Sequence, residues 1–263
     1  MKSKISINET NYPIVGAKDY LDTYGEHFEP YTVEIFRRFC EEDSQAIDIG
    51  ANIGLTAIAL GSICNRGKVA AIEPIPVTFQ FLKENVKISG LNNITLHNFA
   101  LGNQEDTVLM QGCADFLAGA FVAKQYQANK DHFTVTVPLY PLDKAFNTLL
   151  LDRIDFIKLD VEGYELFALE GARQVLTTFK PIIYLEMNHW CLNVFHRITL
   201  PEFHERLIQI FPYVFAIQDS SYLDFVNPDN FHHIAHEHVT KFKYLNIIAG
   251  FDKEKIIQKL SLV

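Results

Sequence analysis

The sequence predicts an α/β fold: a mostly parallel, doubly wound sheet with helices on both faces. Three observations carry this. Short apolar runs alternate with amphipathic stretches of helical length. A complete β-α-β-α-β series fits within residues 45–101. Its first strand ends in a glycine turn that feeds directly into a helix.

The elements follow in order. Residues 20–40, "YLDTYGEHFEPYTVEIFRRFC", end in a helical pattern through Val33, Phe36 and Phe39. Residues 1–40 are expected to form a helical cover over one large domain spanning 41–263. "QAIDIGANIG" reads as a strand and turn, "LTAIALGSIC" as a helix, and "KVAAIEP" as the second strand. A helix through "VTFQFLKENVKISG" precedes the third strand, "NITLHNFAL". "IDFIKLD" and "KPIIYLEMN" are two more strands, joined by a single helix from Tyr164 to about Phe179. A helix in "PEFHERLIQIF" and strands in "YVFAIQ" and "KYLNIIAGF" bring the count to about seven principal strands. Residues 112–133 fit no strand and are expected to be a lid-like insertion or a surface loop.

Composition bounds the function. At 263 residues and 48% hydrophobic, the chain can bury a large single core. A net charge of −9 argues against nucleic acid as a partner. No apolar run reaches membrane-spanning length and no signal sequence is evident, so no membrane partner is expected. The scattered Cys40, Cys64, Cys113 and Cys191 form no CxxC pair, which fits a reducing, cytoplasmic setting.

The most informative segment is "DIGANIG". Gly50 and Gly54 let backbone approach a ligand, and the following helix presents its N-terminus. The spacing is not GxGxxG, which disfavours a dinucleotide-dependent oxidoreductase. Instead Asp48 precedes the turn, where an acid attracts a cationic amino group. Glu73 ends the second strand, where a carboxylate accepts from both hydroxyls of a ribose. A phosphate-free nucleoside with a cationic amino-acid tail, S-adenosylmethionine, fits both.

At this point the chain resembles a class I methyltransferase and, more narrowly, the FkbM family. The resemblance rests on "AIDIGANIGLTAIAL", "VAAIEPIPVTFQFLKENV", "HNFALGN", "YPLDKAF", "IDFIKLDVEGYELFALEGA" and "KPIIYLEMN", in that order. It implies a Rossmann-like sheet of seven strands with an antiparallel last strand. It also implies methyl transfer from S-adenosylmethionine to a hydroxyl of a small molecule or a sugar or glycan precursor. By motif, Asp48, Gly50, Asn52 and Gly54 would cradle the methionine end, Glu73 the ribose, and Asn98, Ala100 and Leu101 the adenine. Transfer to nitrogen or carbon on the same fold is the alternative, and a binding domain without turnover is a third reading.

In the implied sheet order the Lys158 strand lies between those of Asp48 and Glu186. Alternation puts Lys158 and Asp160 on one face, and a lysine inside a strand needs carboxylate partners. Asp160 and Glu186 are the expected catalytic pair, with His189 a further base candidate. Asp160, Glu186 and Asn188 are also a candidate divalent metal (magnesium) set. Glu162 reads as a helix-dipole complement. Tyr24, Phe28 and Tyr31 are candidates for part of a cover over the cofactor, and Glu29 for a contact to cofactor or acceptor. The histidines of "FHHIAHEH", His232 to His238, lie before the last strand and are expected to sit away from the cofactor end. The expected partner is a small-molecule or saccharide acceptor, and assembly, a homodimer included, stays open.

Overall fold

The computed structural model describes residues 1–113, 116–122, 132–219 and 221–261. The chain opens with an antiparallel hairpin, β1 (Lys2–Ile7) and β2 (Thr10–Val15). Its turn residues Asn8 and Glu9 both take positive φ, 49° and 64°, the geometry that matches hairpin twist. Two helices follow, α1 (Lys18–Tyr24) and α2 (Pro30–Phe39). The N-terminal cover is therefore a hairpin plus two helices, where an all-helical segment was expected. The alternating burial of Ile5, Ile7, Tyr12 and Ile14 is a strand period spread over stretches too short and polar to read alone. In α2, Val33, Phe36 and Phe39 are buried as their spacing predicts.

The central region is β3 (Gln45–Ile49), α3 (Leu55–Ile63), β4 (Lys68–Ile72), α4 (Pro76–Ser89) and β5 (Ile94–His97). Then come β6 (Ala100–Leu101), β7 (Asp106–Cys113), β8 (Phe116–Val122), β9 (His132–Tyr140) and a short α5 (Leu142–Ala145). The second half comprises β10 (Phe156–Leu159), α6 (Glu165–Glu170), α7 (Arg173–Phe179), β11 (Ile182–Glu186), α8 (His189–His196) and α9 (Leu200–Ile208). It ends with β12 (Tyr213–Gln218), β13 (Ser221–Asp224), α10 (Pro228–Lys241), β14 (Asn246–Gly250) and α11 (Lys253–Leu260).

The main sheet has the order β13-β12-β14-β11-β10-β3-β4-β5. Strands β11, β10, β3, β4 and β5 are mutually parallel, and β14 runs antiparallel to both β11 and β12. The antiparallel last strand is as expected. An eighth strand, β13, adds to the expected seven by folding back on β12 at one edge. Apolar clusters cover both faces. Ile47, Ile157 and Leu159 point into one, and Ala46, Phe156 and Tyr184 into the other.

Two expectations need correction. The segment 112–133 was expected to hold no strand, yet it contributes to a second sheet of order β6-β9-β7-β8. Gly112 and Cys113 end β7, 116–122 form β8, and His132 and Phe133 begin β9. Residues 114, 115 and 123–131 lie outside the described residues. Strand β8 pairs across a register shift at Gln111/Cys113, so its apolar pattern carries no clean alternation. The helix expected from Tyr164 to Phe179 is two helices. At Gly171 the backbone passes so close to the Gly102 carbonyl that a side chain there would collide with it.

Candidate functional site

A cavity of about 300 Å³ opens at the carboxyl ends of the parallel strands, where open α/β sheets bind ligands. Its first wall is the turn after β3. Gly50 (φ 79°), Asn52 (φ 50°) and Gly54 (φ 100°) all take left-handed backbone. The Gly50 and Ala51 amides both donate to the Ile72 carbonyl, folding the turn against the end of β4. A Cβ on Gly50 would strike the Asp160 carbonyl, so the turn and the end of β10 touch backbone to backbone. Gly50, Ala51 and Asn52 border the cavity. Gly54 does not; it caps α3, and a Cβ there would come 2.7 Å from Leu82.

Asp48 is fully buried beneath this turn rather than facing the cavity. Its Oδ2 accepts from Thr56 at 2.6 Å, and its Oδ1 lies 3.5 Å from Lys158 Nζ. Burial raises its carboxyl above the usual range, opposed by Lys158 and the Thr56 hydroxyl. The acid expected to meet a cationic amino group is instead held beneath the glycine turn by Thr56 and Lys158. Sequence alternation cannot show which side of a fully buried strand end meets the ligand.

Glu73 does face the cavity. Its Oε2 accepts from the Asn52 amide at 3.0 Å and its Oε1 from the Ile75 amide at 2.8 Å. Each oxygen keeps a further lone pair for a ligand hydroxyl. Burial pushes the carboxyl up to about 7, against the pull of the two amides. Asn98 is spent inside the protein, donating to the Glu73 and Pro74 carbonyls at 2.8 and 3.0 Å. Its neighbours Phe99, Ala100 and Leu101 form the wall.

The wall formed by the ends of β10 and β11 is acidic. Lys158 on β10 donates to the Gly50 carbonyl at 2.9 Å and lies 3.6 Å from Asp160 Oδ2. Burial opposes its charge, but the Asp160 and Asp48 carboxylates overcome that and hold the ammonium above its ordinary range. Asp160 and Glu186 both border the cavity, from the adjacent strands β10 and β11. Burial, then Asp160, Glu162 and Glu165, raise Glu186 well above the carboxylate range. Glu162, far from merely complementing a helix, also borders the cavity and accepts from the Cys191 thiol at 3.0 Å. Burial and the charge of Asp160 push it up to about 7.

His189 and Asn188 do not join this group. The Asn188 side chain caps α8, accepting from the Trp190 and Cys191 amides at 3.2 and 3.3 Å. His189 packs on His238 and Phe242, each with ring centroids 4.9 Å away, outside the cavity wall. His238 lies on α10, where its Nε2 accepts from the His189 amide at 3.3 Å, and none of His232, His233, His236 and His238 borders the cavity. The metal set therefore does not assemble. The Asn188 oxygen is already engaged, and among the described residues no three His, Cys, Asp or Glu side chains converge as ligands.

The cover is formed by Tyr20, Phe28, Glu29 and Thr32. The Tyr20 hydroxyl accepts from Asn52 Nδ2 at 2.8 Å, and Thr32 donates to Glu29 at 2.9 Å. Tyr31 stands outside the wall, and the Tyr24 side chain lies outside the described residues. Sequence reasoning missed Tyr184, which lies 3.3 Å from Thr32 Oγ1. The signal was present: two residues before Glu186 on one strand, it must share that face. Met110, Ala120 and Val122 enter from the second sheet, which no local pattern announced.

Among the described residues no helix is long and apolar enough to cross a membrane. The model of the methyltransferase FkbM domain matches residues 48–222. A curated relative, Methyltransferase 1 of Beauveria bassiana, is 23% identical over 146 residues, 49% of this chain and 59% of its own length. The chain thus spans little more than half of that relative. Among solved structures, a methyltransferase FkbM from Methylobacillus flagellatus is 21% identical with a TM-score of 0.45, covering 66% of this chain and 40% of its own. M. jannaschii TYW2, solved in complex with AdoMet, is 12% identical with a TM-score of 0.46, covering 95% and 86%.

Proposed function

Because the chain belongs to the FkbM methyltransferase family, we propose that it transfers a methyl group from S-adenosylmethionine to a hydroxyl of a small molecule or sugar precursor. One observation carries the reading: the glycine turn, Glu73, Asp160 and Glu186 all line a single cavity. The residues present fit the cofactor. Glu73 offers a lone pair on each oxygen to the ribose diol, and Phe99 to Leu101 supply a wall for the adenine. The Asn52 Oδ1, buried and with no hydrogen-bond partner, belongs to a residue of the cavity wall and is open to a ligand donor. Bound there, the cofactor supplies an electrophilic methyl on a sulfonium.

The chain's own residues do the rest. The Gly50–Asn52 backbone and the Tyr20 cover orient the ligand and exclude water, which is most of what an in-line displacement needs. Asp160, its carboxylate partnered by Lys158, accepts the proton from the acceptor hydroxyl. Glu186, on the neighbouring strand and with its carboxyl raised by burial and its acidic neighbours, holds the acceptor by a hydrogen bond. Lys158 fixes the cofactor turn and Asp160 relative to each other.

Calorimetric titration with S-adenosylmethionine and S-adenosylhomocysteine tests the cofactor. Absence of binding in folded protein overturns the reading. An acceptor panel with fragmentation of the product then separates oxygen from nitrogen or carbon transfer.

A further inference from the structure

The cavity wall is lopsided in charge. Glu29, Glu73, Asp160, Glu162 and Glu186 border it, against Lys158 as its basic residue among the described residues. That ammonium is committed to protein partners, the Gly50 carbonyl at 2.9 Å and the carboxylates of Asp48 and Asp160 at 3.5 and 3.6 Å. Its side chain is 6% exposed, so an entering anion finds no cation free to meet it.

Three of the acids crowd the acceptor end. Glu162 is held there by a left-handed backbone, φ 54°, a conformation that non-glycine residues keep only when their surroundings over-determine it. The Cys191 thiol fixes its Oε2 from behind. Its carboxyl and that of Glu186 repel each other and are both desolvated, which a neighbouring positive charge relieves.

We propose that Glu162 and Glu186 make the acceptor end selective for charge, admitting an uncharged or cationic acceptor and rejecting one with a phosphate or carboxylate beside the reacting group. The proposal rests on the methyl-transfer reading and deepens it: Glu162 becomes a specificity-determining residue and the acceptor class is narrowed. An anion at this end meets unscreened carboxyls across a low-dielectric gap, where like charges cost far more than in water.

The test compares two ligands that differ in charge at the transferred-methyl position. S-adenosylhomocysteine is a neutral thioether; sinefungin carries an ammonium there. Both are titrated calorimetrically into the wild type, E162Q and E186Q. Sinefungin is expected to bind at least about tenfold tighter than S-adenosylhomocysteine to the wild type. That ratio should fall about threefold or more in each variant, with S-adenosylhomocysteine affinity held within about twofold. Equal wild-type affinities, or variants that weaken both ligands alike, overturn the proposal. Glu186 has ordinary strand backbone, so E186Q decides the matter if E162Q does not fold. Inorganic phosphate titrated into protein loaded with S-adenosylhomocysteine should give no saturable binding; saturable binding overturns the exclusion of anions. Failure of S-adenosylhomocysteine itself to bind is a separate result, which removes the cofactor reading and the proposal with it.

Discussion

The Lys158 ammonium donates to the carbonyl of Gly50 across 2.9 Å, tying the strand that leads into Asp160 to the glycine turn that borders the cavity. The same ammonium compensates Asp48, which has no exposed surface. Replacing Lys158 with Met therefore strands a buried carboxylate as well as freeing the turn. Breaking a buried pair from one side costs about 3–5 kcal/mol. Denaturant unfolding of Lys158→Met should show a loss of that order, partly recovered in Lys158→Met/Asp48→Asn. A double variant no more stable than the single one would count against the pairing.

Glu73 is expected to carry much of the cofactor affinity. Its carboxylate is pinned by two amides, so it would lose little side-chain freedom on binding a ribose. Hydrogen bonds to charged groups are worth about 1.5–3 kcal/mol each. Glu73→Ala should weaken S-adenosylhomocysteine binding by at least about tenfold. Calorimetry reads this directly, and unchanged affinity would refute the ribose assignment.

How much of this was legible in the sequence follows the range of the interactions. The glycine turn and Glu73 were readable because each is set by neighbours a few residues away. Lys158, Asp160 and Glu186 were readable from strand alternation once a sheet order was assumed. Asn188 was misread although the signal was local, since an Asn just before a helix is foremost a cap. Asp48 was misplaced because burial on both sides of a strand hides which one faces the ligand. Strand β8 and the wall it lends, Ala120 and Val122, depend on pairing with β7 across a register shift. No periodicity within "FLAGAFV" encodes that partner.

Stability should fall as pH rises above neutrality. Burial lifts Glu73 and Glu162 to about 7 and Glu165 to about 8, all above the value in an unfolded chain. Between the ordinary glutamate value and these, the native state holds more protons than the unfolded chain. The stabilisation is thus fully present below the ordinary value and is lost as pH rises through about 8. His97 and His238 are shifted down by burial and act the other way, but only below their ordinary value of about 6.5. Urea midpoints should therefore drop between about pH 7 and about pH 8.5. Glu165→Gln keeps an oxygen for the Val161 and Gly163 amides and removes the charge, so it should flatten the profile. An equally steep decline in that variant would exclude Glu165 as a source.

Gly50→Ala separates backbone geometry from charge. At φ 79° an alanine sits in the left-handed region, which costs about 1–2 kcal/mol before any contact is counted. Its Cβ would also press on the Asp160 carbonyl, and that atom belongs to the strand end beside Glu186, with no flexible side chain to yield. The turn must then lift away from β10, stretching the Lys158 bond to the Gly50 carbonyl and displacing the cavity wall that Gly50 and Asp160 share. Cofactor affinity should fall by well over tenfold while Gly25→Ala does not alter it, because a Cβ on Gly25 meets nothing within 4 Å although its φ of 57° is also positive. Comparable losses of S-adenosylhomocysteine affinity in the two variants would assign the effect to positive-φ strain alone, not to the close approach of the turn and Asp160.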